Sequence, residues 1–482
     1  MTAPNIRFAR SQGASARFGI ARWDITPGLE VSVKNWGATD RWFARGVHRP
    51  LTGTALAIAP LDPEGQPLVL LSLDLGWWRG ARADVDWMLG AFRAALSLPA
   101  ESIIIHITHT HAGPFLDREA PPEADPETVR SYMDRLQSLC IEGAQAAVRD
   151  LRPGSLLSAV GSCGLAANRD LPDPTGADRY LTGFCPHAAA DDTLVVARIF
   201  DEAKRTRATL VNYACHPTTL GWENDLLSPD FPGAMREVVE SATSAPCLFL
   251  QGASGELAPP CQYSGDPSLA DRHGRVLGYA AMALLENLAD GAGDLVFDGC
   301  KESGAPLALW TSVPGRLPET VAALRKPVEL ELKPDLPTVA QLQSQLEEGP
   351  TGFAHERLIR KLRVRASVGD GATSREHIWL WQIGALFLVA VPFEAYSDLQ
   401  REIRAYADGN PVLVLNLSNG NQGYLPPAQL YEKNIYTVWQ TPFAKGSLEA
   451  LISAVRHHVA DRRSFALLRH PSITFKSSGP VR

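Results

Sequence analysis

The chain predicts an α/β fold. Residues 68–75 are almost wholly apolar and read as a strand. Residues 84–98 follow with Val85, Met88, Leu89, Phe92, Ala95 and Leu96 at helical spacing. Residues 102–114, SIIIHITHTHAGP, then begin as a β-branched run, Ile103 to Ile105, and stop at Gly113-Pro114. Strand, helix, strand in that order argues for parallel pairing.

The remaining elements extend the pattern. Residues 1–17 read as a lead-in. FGIARWDITP (18–27) is a strand closing in a turn, and 35–50, rich in Gly, Trp, Arg and His, is a long loop suited to lining a pocket. Residues 56–59 form a strand that the DPEGQ turn joins to 68–75. Residues 126–147 carry Val129, Met133, Leu136, Cys140 and Ala144 at helical spacing, with Pro126 in the first turn. Residues 160–192 read as an extended loop, 194–200, 208–214 and 247–251 as strands, and 270–288 as a helix. The charged, Pro-punctuated stretch 301–351 reads as an insertion or flap. Residues 378–391 are two strands, 395–407 a helix, 412–417 a strand and 447–459 the last helix, with 462–482 a tail.

Composition narrows the function. With 482 residues, 45% hydrophobic and 21% charged, the chain is long enough for a sizeable core. A net charge of −7 without a basic cluster gives no reason to expect nucleic acid or an anionic membrane as partner. The longest apolar run, 378–391, is too short to span a bilayer and is broken by Gln382 and Gly384. Seven scattered cysteines without a CxxC, and an N-terminus lacking a signal-peptide apolar core, predict a cytoplasmic protein with mostly reduced thiols.

Predicted strands end repeatedly in residues able to bind metal: Asp74, His109 and His111, His216, Glu394, Tyr424. A strand persisting through His111 would point both imidazoles at one face. Strand ends that open into loops are where α/β proteins hold their chemistry. A catalytic zinc needs three or four N, O or S ligands and a place for water. Asp74 and Asp230 are candidate acceptors that orient a ligand imidazole. GASG around Ser254 is not a nucleophile elbow, which disfavours a serine hydrolase.

Over residues 18–460 an ordered series of short motifs resembles the neutral/alkaline, non-lysosomal ceramidases, which are zinc-dependent amidases. FGIARWDITP, GVHRPL and LLSLDLG come in order. THTHAGP is similar to THTHSGP, NYACHPTTL to NFACHPTSM, QGASGELAPP to QGNSGDVSPN and VPFE to VPGE. Tyr424 and Tyr436 share the twelve-residue spacing of two tyrosines in the family's NxYxxYxTTxEEY region. The resemblance implies zinc held by His109, His216, Glu394 and Tyr424, with His111, Arg169 and Tyr436 around the scissile bond. It implies a large mixed α/β domain with two packed β-sheets flanked by helices. It also implies a zinc-bound hydroxide that cleaves an amide (N-acyl) bond.

The departures bear on the substrate. Ala258 stands where the family's GDVSP segment has serine, the TTxEEY body is missing, and neither a signal peptide nor an immunoglobulin-like domain is recognisable. A soluble small-molecule substrate is therefore expected in place of membrane ceramide. The alternative on the same scaffold is a zinc lyase, esterase or lactonase acting on an acidic sugar or related carboxylate. A His/His/Glu/Tyr set also accepts manganese or iron.

Overall fold

Two sheets lie face to face, and helices cover both outer faces. The computed structural model describes residues 7–9, 12–79, 81–288 and 293–460. The rest of the expected lead-in and the whole expected tail lie outside the described residues. The larger sheet contains β1 (Gln12–Asp24), β2 (Thr52–Ala59), β3 (Leu68–Leu73), β4 (Ile103–Ile107), β5 (Arg152–Ser162), β6 (Thr193–Asp201), β7 (Thr206–Tyr213) and β8 (Cys247–Gln251). Their spatial order is β8-β7-β6-β5-β1-β2-β3-β4. Inner neighbours are antiparallel, whereas the two edge pairs, β3 with β4 and β7 with β8, are parallel. A parallel pair needs a crossover, and a helix makes each one. The second sheet runs β9 (Val321–Glu331), β10 (Thr373–Ile383), β11 (Leu386–Ala390), β12 (Val412–Leu415), with β11 and β12 parallel.

Helices α1 (Ala81–Leu96) and α2 (Pro126–Arg149) pack Met88, Phe92, Met133 and Leu136 onto one half of the first sheet. Helices α3 (Phe231–Thr243) and α4 (Pro267–Glu286) cover the other half through Met235, Val239, Leu277 and Leu285. The two approach closely at Gly274, where a Cβ would lie 2.5 Å from the Phe231 carbonyl oxygen. Helix α5 (Gly352–Val368) lies between β9 and β10 in the chain. Helices α6 (Asp398–Tyr406) and α7 (Ser447–Ala460) bury Leu399, Ile403, Leu448, Leu451 and Val455 on the second sheet. No described helix is long and apolar enough to cross a membrane.

The structure moves several expected boundaries. β1 starts at Gln12, inside the expected lead-in, because Ala14, Ala16 and Phe18 alternate into the core. Alanines at period two are a weak hydrophobic signal. Residues 301–351 carry regular structure. They complete the hairpin of Gly293–Glu302 with Pro306–Pro314, then supply β9, which pairs with β10 along its whole length. In KPVELEL, Val328, Leu330 and Leu332 face inward while the charged residues between them face out. Residues 160–192 include the short strands Ala167–Asn168, Asp170–Pro172 and Tyr180–Thr182.

Between the sheets, Leu56, Leu70, Ile104, Leu210 and Leu248 of the first meet Trp381, Leu386, Leu388 and Leu413 of the second. Trp381 is fully buried, and its indole N–H donates to the Glu101 carbonyl at 2.8 Å. Replacing it with alanine opens a cavity at the centre of this layer. Trp381→Ala is expected to cost about 3–5 kcal/mol of stability, read as a fall in the denaturant midpoint. A loss below about 1 kcal/mol would show that the sheets do not depend on this contact.

Candidate metal centre

The carboxyl ends of the parallel-paired strands open on one side of the molecule. His109 lies just beyond β4, His216 just beyond β7, Glu394 just beyond β11, and Tyr424 in the segment after β12. Ligands in open α/β sheets collect at such ends. β4 itself stops at Ile107, so the expected i, i+2 strand geometry does not place the imidazoles. His109 instead adopts φ +72°, a left-handed conformation that costs a non-glycine residue about 1–3 kcal/mol. Its N–H bonds to the Leu75 carbonyl at 2.9 Å, which holds the kink. The His109 and His111 rings still sit only 4.9 Å apart.

The hydrogen bonds of the two buried imidazoles define the centre. Nδ1 of His109 faces the Gly76 carbonyl at 2.9 Å, and Nδ1 of His216 faces the Ser254 carbonyl at 2.7 Å and that of Leu257 at 3.1 Å. Carbonyls only accept, so both rings carry their proton on Nδ1. Both Nε2 lone pairs then point at one oxygen, Oε2 of Glu394, 3.3 Å from His109 and 3.2 Å from His216. Burial, with Arg169 nearby, pushes His216 down to about 3 despite the carboxylate beside it. Burial alone would raise the Glu394 carboxyl, and positive charge at the two imidazole positions holds it well below its ordinary value, the part a bound cation would play between neutral rings. Three acceptors thus converge, and a cation between them satisfies all three at once. The ligand atoms of His109, His216 and Glu394 lie within 4.8 Å of one another, so the group fits a divalent metal ion.

The other predicted residues gather here too. A two-residue parallel bridge sets Glu394 beside Tyr424. Burial, then the Glu394 charge, keeps the Tyr424 hydroxyl well above its ordinary pKa. Arg169 donates to that hydroxyl at 3.2 Å and to the Gly255 carbonyl at 2.7 and 3.1 Å. His111 lies between Trp36 and Trp77, each 4.9 Å away ring to ring, and neither of its nitrogens has a hydrogen-bond partner. Burial, then repulsion from His109 and His216, pushes its pKa well below the usual value. Tyr436 packs against Tyr424 at 5.6 Å and accepts a hydrogen bond from Arg360 at 3.2 Å.

The two aspartates do other work. Asp74 pairs with Arg236 at 2.5 and 2.9 Å and accepts from Thr52 and Thr108. Asp230 caps α3 and accepts from the Leu220 N–H. Neither orients an imidazole, because main-chain carbonyls do so. A cavity of about 100 Å³ borders the centre, lined by His109, His111, Glu394, Tyr424 and Tyr436. Its outer wall adds Trp77, Arg79, Arg360 and Arg363. The arginines were not foreseen. The available signal was the i, i+3 spacing of Arg360 and Arg363 in an unassigned helix.

No protein-family model matches the chain. No curated protein sequence matches it. Among solved structures, neutral ceramidase from Pseudomonas aeruginosa superposes with TM-score 0.65 at 18% identity, covering 94% of this chain and 75% of that one. A ceramidase complexed with C2 gives TM-score 0.64 at 17% identity, covering 94% and 76%. The chain therefore has a ceramidase-like fold.

Behind the centre, burial raises the Glu256 carboxyl to about 8 from an ordinary value of 4.5, against bonds from the Ser397 N–H at 3.0 and 3.1 Å and from its hydroxyl. Between those values the folded protein holds a proton that the unfolded chain has released, so stability falls as pH rises. The melting temperature of the wild type is expected to fall from pH 5 to pH 8 relative to Glu256→Gln. Parallel pH profiles for the two proteins would refute this.

Proposed function

We propose that the chain is a zinc-dependent hydrolase that cleaves an amide (N-acyl) bond of a small soluble molecule. The carrying observation is the convergence of two Nε2 lone pairs and a buried carboxylate oxygen in the wall of a cavity. His109, His216 and Glu394 would hold the metal, with the Tyr424 phenol oxygen as fourth ligand. Bound there, zinc supplies Lewis acidity and lowers the pKa of water from about 15.7 to about 7. The ceramidase-like fold supports amide hydrolysis as the reaction. Seven free cysteines support a reducing, cytoplasmic setting.

The protein's own groups supply the rest. Hydrolysis adds the hydroxyl of water to the carbonyl carbon and its proton to the leaving nitrogen as the C–N bond breaks. His111, neutral and without a partner, offers one N–H to the carbonyl oxygen or the leaving nitrogen. Arg360 donates to the Tyr436 oxygen, which leaves the Tyr436 proton free to face the cavity. Arg169 acts as a positioning residue that keeps the Tyr424 oxygen turned toward Glu394.

Elemental analysis tests the centre. Wild-type protein is expected to carry about one zinc per chain, and His109→Ala/His216→Ala to lose it while keeping its circular dichroism. Chelation should abolish N-acyl amide hydrolysis, and added zinc should restore it. His111→Ala should lower kcat about 10²–10³-fold, as removal of one oxyanion donor does. Wild-type protein without metal would overturn the proposal.

A further inference from the structure

The cavity beside the His/His/Glu cluster also has a cationic wall. Arg79, Arg360 and Arg363 all line it. Two of the three charges are answered: Arg360 pairs with Glu356 at 3.1 Å, and Arg363 pairs with Asp117. Among the described residues no carboxylate lies within ion-pair distance of Arg79. Its Nη2 donates only to neutral oxygens, the Lys34 carbonyl at 2.9 Å and Asn35 Oδ1 at 3.2 Å, and its Nε has no partner. The residue is 7% exposed. Its guanidinium lies between the rings of Trp77 and Phe115, 4.6 and 4.2 Å from their centroids. Burial, then repulsion from Arg360 and Arg363, lowers it to about 9, so it keeps its charge at neutral pH.

A buried cation with only neutral partners is expensive, and proteins retain one where a ligand completes it. A guanidinium set against two aromatic rings keeps its planar fork of donors, which matches a carboxylate better than a point-like anion. Arg360 joins this wall to the metal centre, since the same guanidinium donates to Tyr436, whose ring packs on Tyr424. The paired, apolar chains of a lipid would leave Arg79 unanswered.

We propose that the substrate carries a carboxylate that seats on Arg79, with the paired Arg360 beside it adding to the positive field, which makes it an N-acyl amino acid or a similar acidic amide. The position of the scissile bond rests on the proposed function, while the anion seat stands on the arginines alone.

Isothermal titration of metal-stripped protein with hippurate and with its neutral amide, hippuramide, separates the two questions, because no metal is then present to ligate the carboxylate. Hippurate is expected to bind at least tenfold more tightly. Arg79→Gln should abolish that preference, and Arg79→Lys should restore part of it. Should the Arg79 variants fail to fold, Arg360→Gln should still reduce the preference. Equal affinity for the two probes in wild type, or binding of neither at millimolar concentration, overturns the seat. Inorganic phosphate binding more tightly than hippurate overturns the carboxylate assignment. A hippurate preference in a protein that never takes up zinc would refute the hydrolase reading and leave the seat standing.

Discussion

Two imidazoles facing a single carboxylate oxygen impose the central constraint on this structure. With each Nδ1 proton committed to a carbonyl, the Nε2 atoms of His109 and His216 turn their lone pairs toward Glu394 Oε2, an arrangement that a cation between them would satisfy. Such an arrangement collapses if any of the three loops drifts. Main-chain bonds prevent this by bracing each loop on another. The His109 N–H bonds to Leu75, that of His216 to Leu257, that of Gly255 to Ala395, and that of Glu394 to Gly423. A Cβ at Gly255 would meet the Tyr396 ring at 2.7 Å, so this bracing also demands glycine there. These loops leave strands of both sheets, and the apolar layer between the sheets therefore fixes the distance between the ligands.

The Asp74–Arg236 pair does for the outer half what the carbonyls do at the centre. Asp74 closes β3, Arg236 sits on α3, and their bidentate contact is wholly buried. It ties the end that leads to His109 to the helix that follows His216. Breaking such a pair by removing one partner leaves an uncompensated charge, at about 3–5 kcal/mol. Carbonyl orienters also differ from a carboxylate in effect. They fix the tautomer without adding charge, so the imidazoles remain neutral donors of a lone pair.

Much of the fold was legible, and so was the cluster. Apolar runs bounded by turns marked β3, β8 and both strands of 378–391, because a buried strand leaves few polar residues in its span. Asp74, His109, His111, His216, Glu394 and Tyr424 stood out because each ends or follows such a run, the resemblance narrowed the ligand set to His109, His216, Glu394 and Tyr424, and the structure brings those four together. What failed to show was whatever depended on weak or long-range signals. β1 was cut short at its alanines, and β9 was hidden by the charges on its exposed face. Helix α5, with Arg357, Lys361 and Arg365 among its residues, showed no clean apolar stripe. Its arginines came into the cavity only through packing against Asp117 and Tyr436, partners far away in sequence.

That division has a physical basis. The side of the cavity that holds the His109, His216 and Glu394 cluster is built by strand ends, whose position follows from hydrogen-bonded sheets that tolerate little change. The cationic lining is built by Arg79, on the loop after β3, and by α5, which lies outside both sheets. No strand ladder holds the side chains of that wall, and Arg360 reaches the centre only through the Tyr436 hydroxyl. Overall superposition on a ceramidase is thus informative about the scaffold behind the His/His/Glu cluster and nearly silent about the cationic wall. The charge of the wall must be read from the arginines themselves, and three guanidiniums set against two carboxylates leave it positive.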